Sequence, residues 1–578
     1  MSKNIIIIGA VALGPKAACR ARRVDPTAQV TLIEQNEYIS YGGCGLPFFV
    51  SGDISEIQAL MSTSFHMVRD EAFFQGAKGV RVRRQTRAMT IDRRQQRVRI
   101  RDLVTGREED MNYDALVLAT GASPIKPDLP GIDLEGITAL SHPGEALAVK
   151  TALSQSRVNH CLIIGAGPIG LEMAQAISDL WGVETTLLEI KDQVLPGLLE
   201  RDLAEMITIE LKSKGVNLFL GEKAIRFLGD DQGRIKAVET EKRRIEADLV
   251  ILAAGVRPNT ALAQEAGLTI GSTAAIWVNE FLQTSDPLIY AGGDCIEVPH
   301  LITGKPCWTP SGSLANRQGR VIGTNAAGGR ETFPGVIGSL AIKVFDLSAG
   351  RIGLTLAAAL KEGFEAEEAL VIQADRAHFY PGQELLALKL VGDRKTRRVL
   401  GLSGVGKNGD ALMGRLNALA GALPKGITIE DVANLELPYA PPFSGAMDIL
   451  NAVANTLKNT LDGKNRPLPP ERFPDLFEGR KEKEVLFLDV RGPRNADPYV
   501  QKFSPDWVNI PGETLAGRLS EIPRDKKLVL ICNSGVRSYE AQIVLDQAGI
   551  TNSLNLSGGV AAVKWTGRNP LEEGEGEE

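Results

Sequence analysis

The sequence has few cysteines for its length, and they do not form a pattern typical of a disulfide scaffold. Six cysteines are scattered over 578 residues, and none belongs to a C-x-x-C pair. This pattern excludes a small domain held by disulfides, and no metal site is predicted. A cysteine with a chemical role should act through its thiolate, which is the nucleophilic form.

Long apolar runs and a strong charge imbalance are also absent. No stretch approaches the roughly 20 apolar residues that span a membrane, and residues 1–8 show no signal-peptide pattern. The net charge of -6 gives no general attraction to nucleic acid or anionic lipid. We therefore expect a cytoplasmic protein that acts on small molecules, with neither nucleic acid nor membrane as a partner.

One local basic stretch stands against this acidic background. Arginines cluster in residues 81–84 and 93–101, and in residues 98–101 they alternate with apolar residues. This alternation with period two is typical of a half-exposed strand. We prefer a solvated strand face to the alternative, a patch that binds polyanions.

Residues 5–34 have the pattern of a nucleotide-binding βαβ unit. An apolar strand leads into a turn with Gly9 and Gly14, a helix-compatible stretch follows, and the second strand ends at Glu34. In such units the glycines let the backbone approach a pyrophosphate, and the acidic residue accepts ribose hydroxyls. The middle glycine of the fingerprint is replaced by Val11, so this unit is incomplete when taken alone.

Residues 161–189 repeat the pattern with the complete fingerprint. The turn contains Gly165, Gly167 and Gly170, and the second strand ends at Glu189. The carboxylate of Glu189 should repel a 2′-phosphate, which favours NADH over NADPH. Two dinucleotides are therefore predicted.

Three further segments follow in a fixed order. Thr120 and Gly121 end an apolar strand, Gly255 follows another, and Asp294 closes a Gly-Gly-Asp sequence. With the two βαβ units, these segments resemble the two-dinucleotide flavoprotein disulfide reductases over residues 1–450. The resemblance implies that Glu34 binds the adenosine ribose of FAD and Asp294 its ribityl chain, and that the second unit binds NAD(P)H.

The segment of residues 40–47 contains a single cysteine, Cys44. Members of this family that resemble glutathione reductase carry a C-x-x-x-x-C pair here. A lone cysteine must instead cycle through a mixed disulfide, a persulfide or a sulfenic acid. This resembles the subgroup with coenzyme A disulfide reductase, persulfide reductase and NADH oxidase; the alternative is an inert thiol.

Other residues resemble the coenzyme A site of that subgroup. Arg20 and Arg23 lie in an Arg-rich first helix, whose last arginine binds the coenzyme A 3′-phosphate; a solvated helix face is the alternative for Arg23. Ser40 and Gly43 precede the cysteine and are expected to contact the substrate. Gly43 is a departure, because the subgroup usually has an asparagine there that contacts coenzyme A.

Two tyrosines, Tyr380 and Tyr439, resemble the pair that reaches the cysteine of the opposite subunit. The resemblance implies a homodimer with shared active sites. Core packing is the alternative for both, and Phe379 is a second candidate for the first position.

The C-terminal region has its own cysteine motif. Residues 488–491 and the sequence from Cys532 to Ser538 resemble rhodanese, in which a loop directs backbone N–H groups at the cysteine sulfur and so holds a thiolate or persulfide anion. Arg537 adds positive charge. A phosphate-binding loop of the C-x-x-x-x-x-R type is the rival, but only four residues separate Cys532 from Arg537.

The predicted fold class is α/β: two Rossmann-like domains, an α+β dimerisation domain and a rhodanese-like α/β domain. We place the boundaries at 1–150 and 276–332 for the FAD-binding domain, 151–275 for the NAD-binding domain, 333–455 for the dimerisation domain, 456–473 for a linker, 474–568 for the rhodanese domain and 569–578 for an acidic tail.

These features together predict a FAD-dependent reductase that uses NADH to reduce persulfides, polysulfide or coenzyme A disulfide through Cys44. It would release sulfide or thiol, while Cys532 delivers sulfane sulfur to a carrier such as coenzyme A. Two alternatives remain: a NADH oxidase that works through a Cys44 sulfenic acid, and a redox-sensing flavoprotein with little turnover.

Overall fold

The computed structural model describes residues 2–571, so most of the predicted acidic tail, residues 572–578, lies outside the described residues. The chain divides into two compact units: residues 1–190 with 215–336, and residues 191–214 with 337–578. Within residues 2–571, no helix is long and apolar enough to cross a bilayer.

The helices are α1 Leu13–Val24, α2 Leu46–Ser51, α3 Glu71–Lys78, α4 Pro143–Ser154, α5 Pro168–Trp181, α6 Arg201–Ser213, α7 Ala261–Glu265, α8 Gly312–Ala326, α9 Leu356–Lys361, α10 Gly409–Ala420, α11 Ile429–Ala433, α12 Ile449–Leu461, α13 Phe473–Glu478, α14 Pro493–Phe503, α15 Gly512–Leu515, α16 Val536–Gln547 and α17 Gly559–Trp565.

The strands are β1 Asn4–Ile8, β2 Gln29–Ile33, β3 Val80–Arg83, β4 Thr86–Asp92, β5 Arg97–Asp102, β6 Glu108–Asn112, β7 Ala115–Leu118, β8 Ala122–Pro124, β9 Ile137–Thr138, β10 His160–Ile164, β11 Glu184–Glu189, β12 Asn217–Leu220, β13 Ala224–Gly229, β14 Ile235–Thr240, β15 Arg244–Glu246, β16 Leu249–Leu252, β17 Val256–Pro258, β18 Ile289–Ala291, β19 Val298–Pro299, β20 Pro306–Cys307, β21 Leu340–Val344, β22 Leu347–Gly353, β23 Ala366–Ala374, β24 Leu385–Asp393, β25 Val399–Gly406, β26 Pro467–Leu468, β27 Val485–Asp489, β28 Trp507–Asn509, β29 Lys527–Ile531 and β30 Ser553–Leu556.

The first unit contains two parallel sheets, ordered β18-β7-β1-β2-β3 and β12-β11-β10-β16-β9. In each sheet a buried central strand, β1 or β10, runs into a glycine turn and a helix, and then pairs in parallel with the next strand, β2 or β11. Parallel strands with both faces covered read as continuous apolar runs, which is how these strands appear in the sequence. Both predicted βαβ units are confirmed.

The basic stretch forms part of an antiparallel sheet ordered β4-β5-β6. Along β5, Val98 and Ile100 are buried, whereas Arg99 and Arg101 are exposed. Arg99 pairs with Asp110, and Arg101 with Glu108, both on β6. The prediction of a half-exposed strand is confirmed, and acidic partners across the sheet balance its charge.

The second unit contains an antiparallel sheet and a parallel sheet. The antiparallel sheet has the order β21-β22-β25-β24-β23, and the parallel C-terminal sheet has the order β26-β30-β29-β27-β28. Helix α6 belongs to this unit and contacts β21, β25 and α17.

The segment predicted as a linker, residues 456–473, is ordered. It contains the end of α12 and β26, which pairs in parallel with β30 at the edge of the C-terminal sheet. An edge strand tolerates the prolines of this segment because one side of the strand needs no ladder hydrogen bonds. At the other end of the domain, Tyr499 donates a hydrogen bond to Asn569 at 2.9 Å, so residues up to 571 pack with it.

Candidate functional site

The first glycine turn leaves no room for side chains at its two glycines. Gly9 has a φ of 106°, and a Cβ added to it would lie 2.1 Å from the Ala119 carbonyl oxygen. A Cβ on Gly14 would lie 1.9 Å from the Gly9 carbonyl oxygen. The buried carboxylate of Glu34 accepts a hydrogen bond from the Ala10 N–H at 2.9 Å, which ties the end of β2 to the turn.

The second glycine turn repeats this geometry. Gly165 has a φ of 111°, and a Cβ added to Gly170 would lie 1.9 Å from the Gly165 carbonyl oxygen. The Ala166 N–H donates to Glu189 at 2.7 Å. A Cβ on Gly167 would meet no atom within 4 Å, so the protein itself does not require the middle glycine. This explains how Val11 can replace it in the first unit without disturbing the fold.

The residues predicted to contact FAD fit a dinucleotide. Gly121, with a φ of 67°, has open space where a side chain would stand. The neighbouring Thr120 is fixed by Asn259, since its hydroxyl donates to the Asn259 carbonyl oxygen and its own carbonyl oxygen accepts from the Asn259 amide. Asp294 accepts the Ser311 N–H at 3.0 Å and has no cationic partner among residues 2–571. A carboxylate in that setting suits neutral hydroxyl donors such as those of a ribityl chain.

Cys44 lies in a short 3-10 turn, Gly43–Gly45, directly before α2. Helix α2 packs against α5, where the Trp181 indole N–H donates to the Val50 carbonyl oxygen at 2.9 Å. The first residue of α8, Gly312, is also close, since a Cβ added there would lie 3.9 Å from the Cys44 sulfur. Cys44 is exposed, so the alternative of an inert buried thiol is not supported.

Burial and the charges of two carboxylates act on the Cys44 thiol. Although the residue as a whole is exposed, neighbouring atoms partly desolvate its sulfur, and this raises the pKa of Cys44. The charges of Glu172 and Asp294 raise this pKa further. Burial also raises the pKa of Glu172 to about 7. Sequence reasoning missed Glu172; the signal was a charged residue on α5 between the buried Leu171 and Met173.

The two arginines expected at the coenzyme A site differ in their surroundings. Arg20 donates to Thr324 at 2.8 Å and forms an ion pair with Glu331 at 3.1 Å, so its charge is already engaged. Arg23 is exposed, and within the described chain it has no ion-pair partner. Only Arg23 therefore presents a guanidinium that is ready for an added phosphate.

The two small residues before Cys44 also differ. Ser40 is buried, has a φ of 50° and donates its N–H to the Ala10 carbonyl oxygen at 2.7 Å, so it anchors the segment to the first glycine turn. Gly43 is exposed, and a Cβ there would meet only the Tyr41 ring, at 3.9 Å. The backbone at residue 43 would thus accommodate an asparagine, and its absence reflects no steric limit.

Both predicted tyrosines lie at the surface of the second unit. Tyr380 is 37% exposed and Tyr439 is 50% exposed, so core packing accounts for neither ring. Phe379, at 67%, is exposed as well. Arg415 holds the two tyrosine segments together, because its guanidinium donates to the backbone oxygens of Asp375 and Phe443.

The C-terminal cysteine, Cys532, is buried at the end of β29, in front of α16. Its sulfur accepts the Gly535 N–H at 3.0 Å, and the Ser538 hydroxyl lies 3.2 Å away. Arg537 is half-buried and forms no ion pair with the residues that the structure describes. The Gly535 N–H can therefore stabilise negative charge on this sulfur through a hydrogen bond.

The other half of the rhodanese-like motif is structural. The Arg491 guanidinium binds the Asp489 carboxylate, with Nη2 at 2.6 Å, and both side chains are buried. The Asn509 amide donates to the carbonyl oxygens of Asp489 and Arg491, which fixes the turn after β27.

Comparison with known proteins identifies the class. Residues 3–306 match the family model described as pyridine nucleotide-disulphide oxidoreductase, residues 340–450 match its dimerisation domain, and residues 473–565 match the rhodanese-like domain. The chain belongs to the pyridine nucleotide-disulphide oxidoreductase family and carries a C-terminal rhodanese-like domain.

Three individual proteins are similar to this chain over most of its length. A protein of Pyrococcus abyssi named NAD(P)H sulfur oxidoreductase (CoA-dependent) is 37% identical over 79% of this chain and 99% of its own length. A NAD-dependent persulfide reductase from A. fulgidus is 39% identical, with a TM-score of 0.90 over 97% of this chain and 99% of that one. The reduced Bacillus anthracis CoADR-RHD is 30% identical, with a TM-score of 0.88 over 98% of both chains.

These comparisons confirm the resemblance drawn from the motifs and the predicted α/β fold class. They also confirm FAD and a nicotinamide dinucleotide as the cofactors of this family, which agrees with the two glycine turns and their paired acidic residues. The similarity to solved structures extends through the C-terminal domain, since it covers 97% of the chain.

Proposed function

We propose that this protein is a NADH-dependent flavoprotein reductase of persulfides and coenzyme A disulfide, supplied with sulfane sulfur by its rhodanese domain. One observation carries the proposal: each cysteine motif has a single cysteine in a distinct environment, Cys44 exposed among carboxylates and Cys532 buried among hydrogen-bond donors. A single cysteine cannot hold an internal disulfide, so in a reductase of persulfides it would bind the sulfur of the substrate itself.

The two glycine turns divide the cofactors. Glu34 with the first turn and Asp294 would hold FAD, and Glu189 with the second turn would hold NADH. Gly9, Gly14, Thr120 and Gly121 complete the first site; Gly165, Gly167, Gly170 and Gly255 complete the second. When bound, the pair supplies the two electrons that cleave a sulfur–sulfur bond at Cys44.

Cys44 performs the substitution on substrate sulfur. Its thiolate attacks the outer sulfur of a persulfide, a new S–S bond forms, and the original thiol leaves with the electron pair of the broken bond. Two-electron cleavage then releases hydrosulfide and restores the thiolate. With coenzyme A disulfide, the same two steps release one coenzyme A thiol each.

Residues around Cys44 would supply protons and bind the carrier thiol, coenzyme A. Glu172, with a pKa of about 7, can hold a proton beside the departing sulfur. Arg23 would bind the 3′-phosphate of coenzyme A, and the backbone around Ser40 and Gly43 would border the reacting sulfur. Arg20, on the same helix as Arg23, would also contribute to substrate binding.

We further propose a cytoplasmic homodimer with shared active sites. The dimerisation model matches residues 340–450, which include Tyr380 and Tyr439. Their exposed rings would reach Cys44 of the partner subunit, and their phenol hydroxyls would protonate the leaving thiolate. All six cysteines are free, as expected in a reducing compartment.

Cys532 would accept sulfane sulfur and pass it to a small thiol, with Arg537 stabilising the persulfide anion. The rival function, a NADH oxidase that uses a Cys44 sulfenic acid, gives this second site no role. The buried, hydrogen-bonded sulfur of Cys532 therefore favours the reductase.

The test is anaerobic oxidation of NADH by the full-length protein with coenzyme A persulfide, coenzyme A disulfide or polysulfide. Cys44→Ser should abolish turnover with all three. Cys532→Ser should spare both coenzyme A substrates and impair only a donor that enters through the rhodanese domain. Cys161→Ala, which removes a buried thiol of β10, is the matched control and should leave turnover unchanged.

Two results would contradict the proposal. Turnover that requires oxygen and ignores all three sulfur substrates would identify an oxidase. Equal loss in Cys44→Ser and Cys532→Ser on every substrate would refute the separate roles of the two cysteines.

A further inference from the structure

A buried hydrogen-bond chain leads from helix α12 to the sulfur of Cys532. The Asn465 amide donates to the Thr460 hydroxyl at 3.0 Å, and the Asn555 amide donates to the Asn465 side-chain oxygen at 3.0 Å. The Ser538 hydroxyl lies 2.7 Å from the Asn555 side-chain oxygen and 3.2 Å from the Cys532 sulfur. All five residues are more than nine-tenths buried.

The helix end of this chain fixes its direction. The Thr460 hydroxyl donates to the Thr456 carbonyl oxygen at 3.0 Å, and a carbonyl oxygen can only accept. Thr460 must therefore accept from the Asn465 amide, which turns the Asn465 oxygen towards Asn555. The Asn555 amide donates to that oxygen and to the Gly535 carbonyl oxygen at 3.2 Å.

The side-chain oxygen of Asn555 consequently faces Ser538 as a pure acceptor. The Ser538 hydroxyl has one hydrogen and two candidate acceptors, Asn555 and the Cys532 sulfur. When Cys532 is a thiol, every group is satisfied, because the thiol donates to Ser538 and Ser538 donates to Asn555. When Cys532 is a thiolate, the single Ser538 hydrogen can serve only one of the two acceptors, and if it stays with Asn555 the thiolate keeps the Gly535 N–H but gains no second donor.

We propose that Asn555, oriented by Asn465, is a positioning residue that competes with Cys532 for the Ser538 proton and so favours states in which the Cys532 sulfur is uncharged. The inference rests on the sulfurtransferase role proposed for Cys532. It assigns to two asparagines, one of them in the segment joining α12 to the C-terminal sheet, control over the reactivity of the sulfur.

The reaction gives this competition a direction. In loading, the Cys532 thiolate attacks the sulfane sulfur of a donor; the new S–S bond forms, and the donor leaves with the electron pair of its broken bond. Negative charge then moves from the Cys532 sulfur to the terminal sulfur of the persulfide. The Cys532 sulfur is now neutral, so Ser538 can return its hydrogen to Asn555. The chain thus disfavours the empty thiolate relative to the loaded persulfide.

The test measures alkylation of Cys532 by iodoacetamide against pH in the full-length, FAD-loaded protein, with mass spectrometry of the Cys532 peptide. Asn555→Ala should lower the pH midpoint by roughly half to one unit, the equivalent of one neutral hydrogen bond. Ser538→Ala should raise the midpoint. The double variant should match Ser538→Ala alone, because Asn555 acts only through Ser538.

Additive behaviour would overturn the proposal. If Asn555→Ala keeps its full effect in the Ser538→Ala background, Asn555 acts through packing instead of through the hydroxyl. Asn465→Ala gives an independent arm, since its side chain does not touch Cys532, and it should lower the midpoint less than Asn555→Ala does. Should Asn555→Ala fail to fold, an unchanged midpoint in Asn465→Ala would refute the proposal by itself.

A second readout separates this inference from the proposed function. Sulfur release from preloaded Cys532 persulfide to coenzyme A should become faster in Asn555→Ala, because Cys532 departs as a thiolate and a leaving thiol of lower pKa departs faster. Failure of NADH-linked turnover would refute the proposed function and leave the alkylation result standing. An equal slowing of loading and release would refute the inference alone.

Discussion

Replacing Lys389 with methionine should destabilise the second unit strongly, and more so at alkaline pH. Lys389, on β24, is almost fully buried and lies 2.7 Å from Asp202 on α6 and 2.8 Å from Glu368 on β23. Burial lowers the pKa of Lys389, but four nearby carboxylates, of which those of Asp202 and Glu368 act most strongly, outweigh this and raise it above its usual value. Its ammonium group is therefore the counter-charge that attaches α6 to the antiparallel sheet.

The size of the effect follows from what remains after the substitution. Methionine fills a similar volume, so the main loss is the charge that compensates Asp202 and Glu368. Breaking a buried ion pair by removing one partner costs about 3–5 kcal/mol. For a unit of this size, we expect the Tm of its transition to fall by roughly 6–20 °C.

The pH dependence provides a sharper check. Burial raises the pKa of Glu368 to about 7, above its usual value in an unfolded chain. The folded state therefore binds the extra proton, and the stability that this contributes is present at acidic pH and lost as the pH rises through about 7. Without Lys389 the carboxylates become still easier to protonate, so the cost of Lys389→Met should shrink towards acidic pH.

Scanning calorimetry of the FAD-loaded protein over a pH series measures this, with hydrogen exchange assigning the transition that includes β24. Lys395→Met is the matched control, since it removes an exposed lysine from the β24–β25 connection. Equal Tm changes in the two variants would refute the reasoning. A Lys389→Met cost that stays constant with pH would also contradict it.

Two further predictions concern the first unit. Glu172→Gln removes a carboxylate that raises the pKa of Cys44, so the pH midpoint of Cys44 alkylation should fall, and an unchanged midpoint would show that Asp294 and burial alone set it. Glu189→Gln keeps an acceptor for the Ala166 N–H while it removes the charge expected to repel a 2′-phosphate, so the ratio of kcat/KM for NADPH to that for NADH should rise about tenfold or more. Steady-state kinetics with both nucleotides decides this, and an unchanged ratio would exclude Glu189 from the ribose site.

The sequence was most informative where one local pattern determines both structure and chemistry. A buried strand, a glycine turn and a terminal acid occur within about thirty residues of each other. In each unit one hydrogen bond joins a backbone N–H of the turn to the carboxylate of the acid, from Ala10 to Glu34 and from Ala166 to Glu189. The Cys532 loop is equally local, because its N–H donor lies three residues from the sulfur. For these features, residues that are close in the chain are also close in the structure.

Other features depend on segments that are distant in the chain. Asn465 and Asn555 are separated by 90 residues, and Asp202 and Lys389 by still more, so neither contact has a local signature. In the sequence, Asn465 falls in the proline-rich segment that was predicted to be a linker. The pairing of β26 with β30 shows that this segment belongs to a sheet, and the hydrogen bond from Asn555 to Asn465 shows that it lies beside the residues around Cys532.

The two cysteines differ in a way that gives the proposed reaction its order. Around Cys44, burial and two carboxylates oppose the thiolate, so that site needs a proton acceptor before the sulfur attacks. Around Cys532, an N–H donor and a hydroxyl face the sulfur, but Asn555 limits how far the hydroxyl can serve an empty thiolate. Cys532 is therefore suited to hold sulfur as a persulfide, and Cys44 to release it. Sulfur should flow from the former to the latter, where two-electron reduction at Cys44 would remove it as hydrosulfide.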